Sequence, residues 1–356
     1  MKISDKMQGY ILALLVMIIV AMFFVQSYIS IAGNDKMPVP EITITKPQTN
    51  ATMTWYTSMP QEHMDRIANA FSTDTGIKVN IVRNSTFIIK ELLMSELETG
   101  TSKADILTIA DVGTYVELKS KNQLMEYKSP QYEYYPDEYQ DRNYWGTVVA
   151  FGVCMAYDDS RITDPPGNWT DLLDERWLGR LGLEDINTAG SQYGQYYMLR
   201  EKLGEKFWET LLTTRKPKIY NTTEELADAL LKGEIDVAGE FGTHIVQSYR
   251  KIKGTAIHGI YPEEGIPLIL NPIAIMNQTE HPLEAKKFMD FLLSKEGQEL
   301  VQRLSYKYSV RKDVSPIEGE PLLGKLNVLN PENETDYMVK RSAYSQEFNR
   351  FMGENK

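Results

Sequence analysis

The sequence predicts a two-lobed α/β clamp preceded by one N-terminal transmembrane helix. Three observations carry that prediction. Strand and helix patterns alternate in two separate blocks, one on each side of a long apolar run at 146–157. A second apolar run, 266–276, is placed to return the chain to the first block. From Met7 to Asn34 there is no charged residue, and Tyr10 to Val25 is unbroken apolar sequence.

A helix of about 20 apolar residues spans a bilayer core. Lys2 and Lys6 precede the run, so the N-terminus is expected inside and the remainder outside. The segment 1–33 therefore reads as an anchor. Ser30-Ile31-Ala32 also fits a cleavage site, which leaves open a secreted form cut near Ala32. Residues 34–50, with Pro38, Pro40 and Pro47, read as a linker.

Folded sequence starts at Thr52–Thr57, a strand. Pro60 opens a helix in which Met64, Ile67, Ala68 and Phe71 keep helical spacing, and Gly76 ends it. Ile77, Val79 and Ile81 alternate as a second strand. A helix carrying Ile88, Leu92, Leu93 and Leu97 closes at Gly100, and Ala104–Ile109 is a third strand. This β-α-β-α-β order implies a parallel sheet covered on both faces. A tyrosine-rich stretch follows (Tyr127, Tyr132, Tyr134, Tyr135, Tyr139, Tyr144), expected to pack a loop rather than to form a ligand shelf. Gly146–Tyr157 is a strand long enough to cross between lobes.

The second block holds a strand at Leu181–Glu184, helices at 189–203 and 204–214, and a helix at 223–232 with Thr223 as N-cap and Gly233 after its end. It continues with a strand at Glu234–Gly239 and a helix at 242–253. Helices at 282–293 and 295–304 follow the return strand. The last 20 residues, with Tyr337, Val339, Tyr344, Phe348 and Phe351, read as one amphipathic helix docking on the body. The expected organisation is lobe 1 from 51–150 plus 267–314, lobe 2 from 151–266, and a docking segment at 315–356.

The chain has 38 Lys+Arg against 49 Asp+Glu, a net charge of −11. Nucleic acid is excluded as a partner, because a phosphate backbone needs a basic footprint. Cys154 is the only cysteine, so no intrachain disulfide and no lipid anchor near the N-terminus are expected; its apolar setting predicts an inert buried thiol. Six asparagines (Asn50, Asn84, Asn168, Asn221, Asn277, Asn333) lie in Asn-x-Ser/Thr sequons, which fits a glycosylated exported surface.

Ligands of open α/β sheets lie beyond the carboxyl ends of the strands, where helix N-termini present free amides. Three turns fit that position: Thr57-Ser58 and Asp111 in lobe 1, and Thr188-Ala189-Gly190-Ser191 in lobe 2. Plain N-capping demands the same residue types, so each turn has both readings. Catalytic motifs are missing: no Walker loop, no Gly-x-Ser-x-Gly elbow, no His-Glu-x-x-His. No cofactor is expected. His63, His258 and His281 are scattered; His244, with Glu240 four residues earlier, is the one pair considered for a metal. Tyr196-Tyr197 could meet ferric ion, but packing is the expected role.

In order along the chain stand Trp55-Tyr56-Thr57-Ser58, Phe71-Ser72-Thr73-Asp74-Thr75-Gly76-Ile77-Lys78-Val79, Ala104-Asp105-Ile106, Asn168–Leu173 with Trp177–Leu181, Leu293–Gln298 and Tyr308–Arg311. These segments resemble the extracellular solute-binding proteins of ABC importers, in the branch with ferric-iron, thiamine and phosphonate binders. The resemblance runs from about Thr52 to Phe351. It implies a periplasmic-binding-protein-like fold, a binding rather than enzymatic role, a small-molecule ligand, an importer permease as partner, and a monomer at the cell surface or in the periplasm. Ferric-binding members carry adjacent tyrosines where this chain has Glu240-Phe241-Gly242-Thr243-His244, and Pro60 replaces a histidine common in their first turn. The expected ligand is therefore an anion or zwitterion held by Thr57, Ser58, Asp111, Thr188, Ala189, Gly190, Ser191 and Glu240. Ferric-iron binding, an enzyme on the same scaffold and a surface receptor stand as the rival readings.

Overall fold

The computed structural model describes residues 51–188, 190–318, 321–331 and 334–353. The anchor and linker at 1–50, Ala189 of the lobe-2 turn, and the sequon residues Asn50 and Asn333 lie outside them. Among the described residues no helix is long and apolar enough to cross a membrane.

Among the described residues eleven strands form one continuous sheet: β1 (Thr52–Thr57), β2 (Lys78–Arg83), β3 (Ile106–Thr108), β4 (Gln140–Asp141), β5 (Trp145–Asp158), β6 (Leu181–Glu184), β7 (Lys218–Tyr220), β8 (Val237–Gly242), β9 (Ile257–Ile260), β10 (Ile266–Ile275) and β11 (Val328–Leu329). The order is β2-β1-β3-β10-β5-β8-β6-β7, with β11 beside β10 and β4 and β9 beside β5. β1 pairs parallel with β2 and β3, and β6 pairs parallel with β7 and β8. These are the two lobes. β5 joins them: residues 145–152 pair with β10, and 153–157 pair with β8. Nearly every β5 side chain is buried, as expected of a strand covered on both faces.

Each lobe buries apolar clusters on both sides of its half-sheet. In lobe 1, Phe288 meets Trp55 and Phe71 edge-on, each with ring centres 5.0 Å apart. Such pairs add about 0.5–1.5 kcal/mol beyond burial. The predicted tyrosine packing is present: Tyr132 and Tyr135 are buried in the same cluster, and the Tyr127 hydroxyl donates to Asp290. Cys154 is fully buried and its thiol donates to the Phe241 carbonyl at 3.2 Å.

Several element assignments shift. The helix Thr86–Thr99 buries Thr86, Ile89 and Leu93, while Ile88 and Leu92 face solvent at 48% and 37% exposure. The sheet meets only the stripe through 89 and 93, and 88 and 92 share the next one. The helix Thr223–Lys232 is capped by Thr222, whose side chain accepts from the Glu225 amide, not by Thr223. β8 begins at Val237, because Glu234 is still tied to the preceding helix through its amide on the Ala229 carbonyl. The C-terminal segment is two helices, Glu334–Val339 and Arg341–Phe351, and Val339 is 66% exposed.

Candidate functional site

A cavity of about 310 Å³ opens between the lobes at the carboxyl ends of the parallel strands. That volume suits a small solute. Five helix N-termini converge on it. They are reached through Ser58 and Pro60 before Gln61–Thr75, Ser85 and Thr86, Ser191 and Gln192 of Gly190–Leu203, Thr222 and Thr223, and Gly242 before Thr243–Lys251. Each end carries a partial positive charge and free amides. This convergence follows from topology, since every parallel strand hands the chain to a helix at the same edge.

Charged side chains divide across the cavity. Arg83, the last residue of β2, and Lys307, in the loop after the helix Lys295–Ser305, line it from lobe 1. The acidic lining residues, Glu184, Glu224 and Glu240, belong to lobe 2.

Lys307 is 8% exposed, with its ammonium 4.5 Å from the centre of the Phe151 ring. No carboxylate among the described residues pairs with it. Burial lowers its pKa to about 8. Two half-buried imidazoles share its surroundings. His244 packs edge-on against Phe151 at 4.6 Å, and burial, then Lys307, hold it well below the ordinary histidine value. His63 is lowered for the same two reasons. The Nδ1 atoms of both histidines are buried without a partner, as is Oδ1 of Asn271 on the cavity wall.

On lobe 2, Glu184 ends β6 and Glu240 stands in β8. The Glu184 amide donates to Glu240 Oε2 at 2.7 Å. Glu184 accepts from Thr223 Oγ1 at 2.8 Å and from Gln192 Nε2 at 2.7 Å. Burial raises the Glu184 pKa to about 7. Burial, then the neighbouring Glu184, raises Glu240 well above the carboxylate range, and its Oε1 is buried without a partner.

The residues expected from sequence separate into three groups. Ser58, Thr188, Ser191 and Glu240 line the cavity. Thr57 is fully buried behind it, accepting from Thr108 Oγ1 at 2.7 Å and from the Met59 amide at 3.1 Å. Asp111 and Gly190 sit at the seam between lobes. Asp111 faces away from the cavity and pairs with Arg341 at 3.0 Å. A Cβ on Gly190 would lie 2.5 Å from the Ala110 carbonyl oxygen, so glycine lets the lobe-2 helix start directly against lobe 1. Two hydroxyls in the lobe-2 turn are used locally: Thr188 donates to the Asp185 carbonyl and Ser191 to Gln192 Oε1.

Arg83, Glu184, Gln192, Asn271 and Lys307 were not anticipated. Arg83 and Glu184 carried a usable signal, because each is the last residue of a strand, where ligands sit. Lys307 carried none; a lone lysine in a loop is ordinarily solvated. His244 and Glu240 both line the cavity, and no group of three or more His, Cys, Asp or Glu suited to a metal occurs among the described residues. Tyr196 and Tyr197 point to the C-terminal segment, donating to Glu347 at 2.7 Å and Asp336 at 3.2 Å.

Comparisons with known proteins agree with this architecture. A putative 2-aminoethylphosphonate-binding periplasmic protein of Salmonella typhimurium is 25% identical over 260 residues, 70% of this chain and 74% of the relative. The major ferric iron-binding protein of Neisseria gonorrhoeae is 23% identical over 287 residues, 76% of this chain and 85% of the relative. Among solved structures, iron-bound HitA from Pseudomonas aeruginosa superposes with a TM-score of 0.76 at 23% identity, covering 84% of this chain and 99% of that one. AfuA from Actinobacillus pleuropneumoniae, with fructose-6-phosphate bound, gives 0.75 at 19% identity, covering 86% and 99%. The family model for bacterial extracellular solute-binding proteins matches residues 101–327. The chain belongs to the bacterial extracellular solute-binding proteins.

Proposed function

We propose that the solute is a small molecule bearing a phosphonate or phosphate group, held between the lobes with its oxyanion at Lys307 and Arg83. Lys307 carries this reading. A buried ammonium without a carboxylate partner costs stability in the empty protein. It lines a cavity into which helix N-termini point, and an oxyanion satisfies both at once. The names of two similar proteins support the phosphorus-containing class: one is called a 2-aminoethylphosphonate binder, and the other was solved with fructose-6-phosphate.

Iron is the second reading, favoured by the names of other relatives. The cavity lining contains no tyrosine, and Tyr196 and Tyr197 are spent on the C-terminal segment. We therefore read any ferric binding as not using a tyrosine pair. In this proposal lobe 1 is 51–150 plus 267–314, lobe 2 is 151–266, and residues 7–33 tether the protein outside the cytoplasmic membrane for delivery to its permease.

Calorimetric titration of the full-length protein tests the solute class, with 2-aminoethylphosphonate, fructose-6-phosphate and ferric citrate as probes. Saturable one-to-one binding of a phosphonate or phosphate ester is expected. Micromolar affinity corresponds to about −8 kcal/mol. Binding of ferric ion alone overturns the reading.

A further inference from the structure

The lobe-2 wall of the cavity has a chemistry opposite to that of the lobe-1 wall. Glu184 and Glu240 are 4% and 3% exposed, and their recorded partners among the described residues, Thr223, Gln192 and the Glu184 amide, are uncharged. Their oxygens are arranged as acceptors. Glu184 already accepts from Thr223 and Gln192 and retains free lone pairs, while Glu240, a lining residue, keeps Oε1 buried and unpartnered. A buried acceptor without a donor destabilises the fold, and native proteins seldom leave one unless something else fills it. A primary ammonium brings three donors and no acceptor.

We propose that Glu184 and Glu240 form a cation subsite for the primary ammonium of a zwitterionic solute. This rests on the anion reading above, because the oxyanion at Lys307 fixes which end of the solute reaches lobe 2. The subsite discriminates by what it leaves unpaired. A solute with a methyl in place of the ammonium buries the two carboxyl groups without relief.

Capture is also linked to protons. Besides burial, Glu224 raises Glu184 against the hydrogen bonds from Thr223 and Gln192 that lower it, and Glu184 and Asp185 raise Glu240 against the hydrogen bond from the Glu184 amide. These neighbours and burial favour the protonated forms in the empty cleft, and an entering ammonium favours the charged form. At a pH below about 7, capture thus releases a proton from the pair to solvent, and affinity falls as the pH is lowered through that value.

The test compares 2-aminoethylphosphonate with propylphosphonate, which replaces the ammonium by methyl, on the full-length protein. Titration at pH 6 in two buffers of different ionisation enthalpy reads affinity and proton release together. The aminophosphonate is expected to bind at least about tenfold tighter, the size of one charge-assisted bond, and to release protons beyond those released with propylphosphonate. Glu184→Gln and Glu240→Gln should each shrink the ratio toward one, and a cooperative thermal unfolding transition for each variant reports that it folds. A ratio near one in the wild type, or an unchanged ratio in both variants, overturns the cation subsite alone. If neither phosphonate binds, the anion reading fails and takes this inference with it.

Discussion

At the scale of single residues, Lys307 sets binding against stability. Its ammonium is buried, and its pKa is lowered to about 8. The sign of the linkage follows. The unfolded lysine holds its proton up to the ordinary lysine value, while the folded one releases it near 8. Stability of the empty protein thus rises with pH between those two values, and below 8 the full cost of the buried charge is present. Lys307→Met keeps the length of the side chain and removes the charge. It is expected to raise the stability of the ligand-free protein at pH 7 by about 1–3 kcal/mol while weakening phosphonate binding at least about tenfold. Urea melts and calorimetry check the two halves separately; a variant that is less stable yet binds as before contradicts the role given to Lys307. At this scale the sequence was only partly readable. Ser58, Thr188, Ser191 and Glu240, named from sequence, line the cavity, but the strand-end rule was applied to turns and so passed over Arg83 and Glu184, the last residues of β2 and β6.

Among the elements, the C-terminal helix pair is the feature least visible in advance. Its amphipathic pattern showed that it docks, but periodicity does not say against what. The helix Glu334–Val339 lies against Val112–Ser120 of lobe 1, and Arg341–Phe351 lies against Gly190–Leu203 of lobe 2. The pair therefore bridges the seam. Arg341 reaches Asp111 of lobe 1 at 3.0 Å and stacks over the lobe-2 Tyr193 ring at 4.9 Å, while Tyr193 donates to the Tyr337 carbonyl. Both helices lie beyond residue 327, where the family match ends. Asp111 takes part in this bridge through its ion pair with Arg341. Arg341→Ala strands a buried carboxylate and should cost about 2–4 kcal/mol in a thermal or urea melt. The double variant Asp111→Asn with Arg341→Met removes both charges and should recover most of that loss. Equal losses in the single and double variants would show that the ion pair is not what joins the lobes here.

For the whole molecule, the sequence disclosed the plan and withheld the polarity of the cleft. The two αβ blocks, the long strand β5 and the return strand β10 were legible because apolar runs of that length between turns have few other uses. The charge division across the cavity was not, because it joins Arg83, Glu184, Glu240 and Lys307 from four distant segments. Of the sequon asparagines among the described residues, Asn84, Asn221 and Asn277 are exposed and Asn168 is half-buried; Asn221 lines the cavity.

The central claim is that a small phosphorus-bearing zwitterion lies across the cavity, oxyanion toward lobe 1 and ammonium toward lobe 2. A crystal structure of the protein grown with saturating 2-aminoethylphosphonate tests it most directly. The account predicts the phosphonate about 3 Å from the Lys307 ammonium and the Arg83 guanidinium, with the amine on Glu184 and Glu240. An empty cleft, or a ligand with its phosphonate turned to the glutamates, would contradict it.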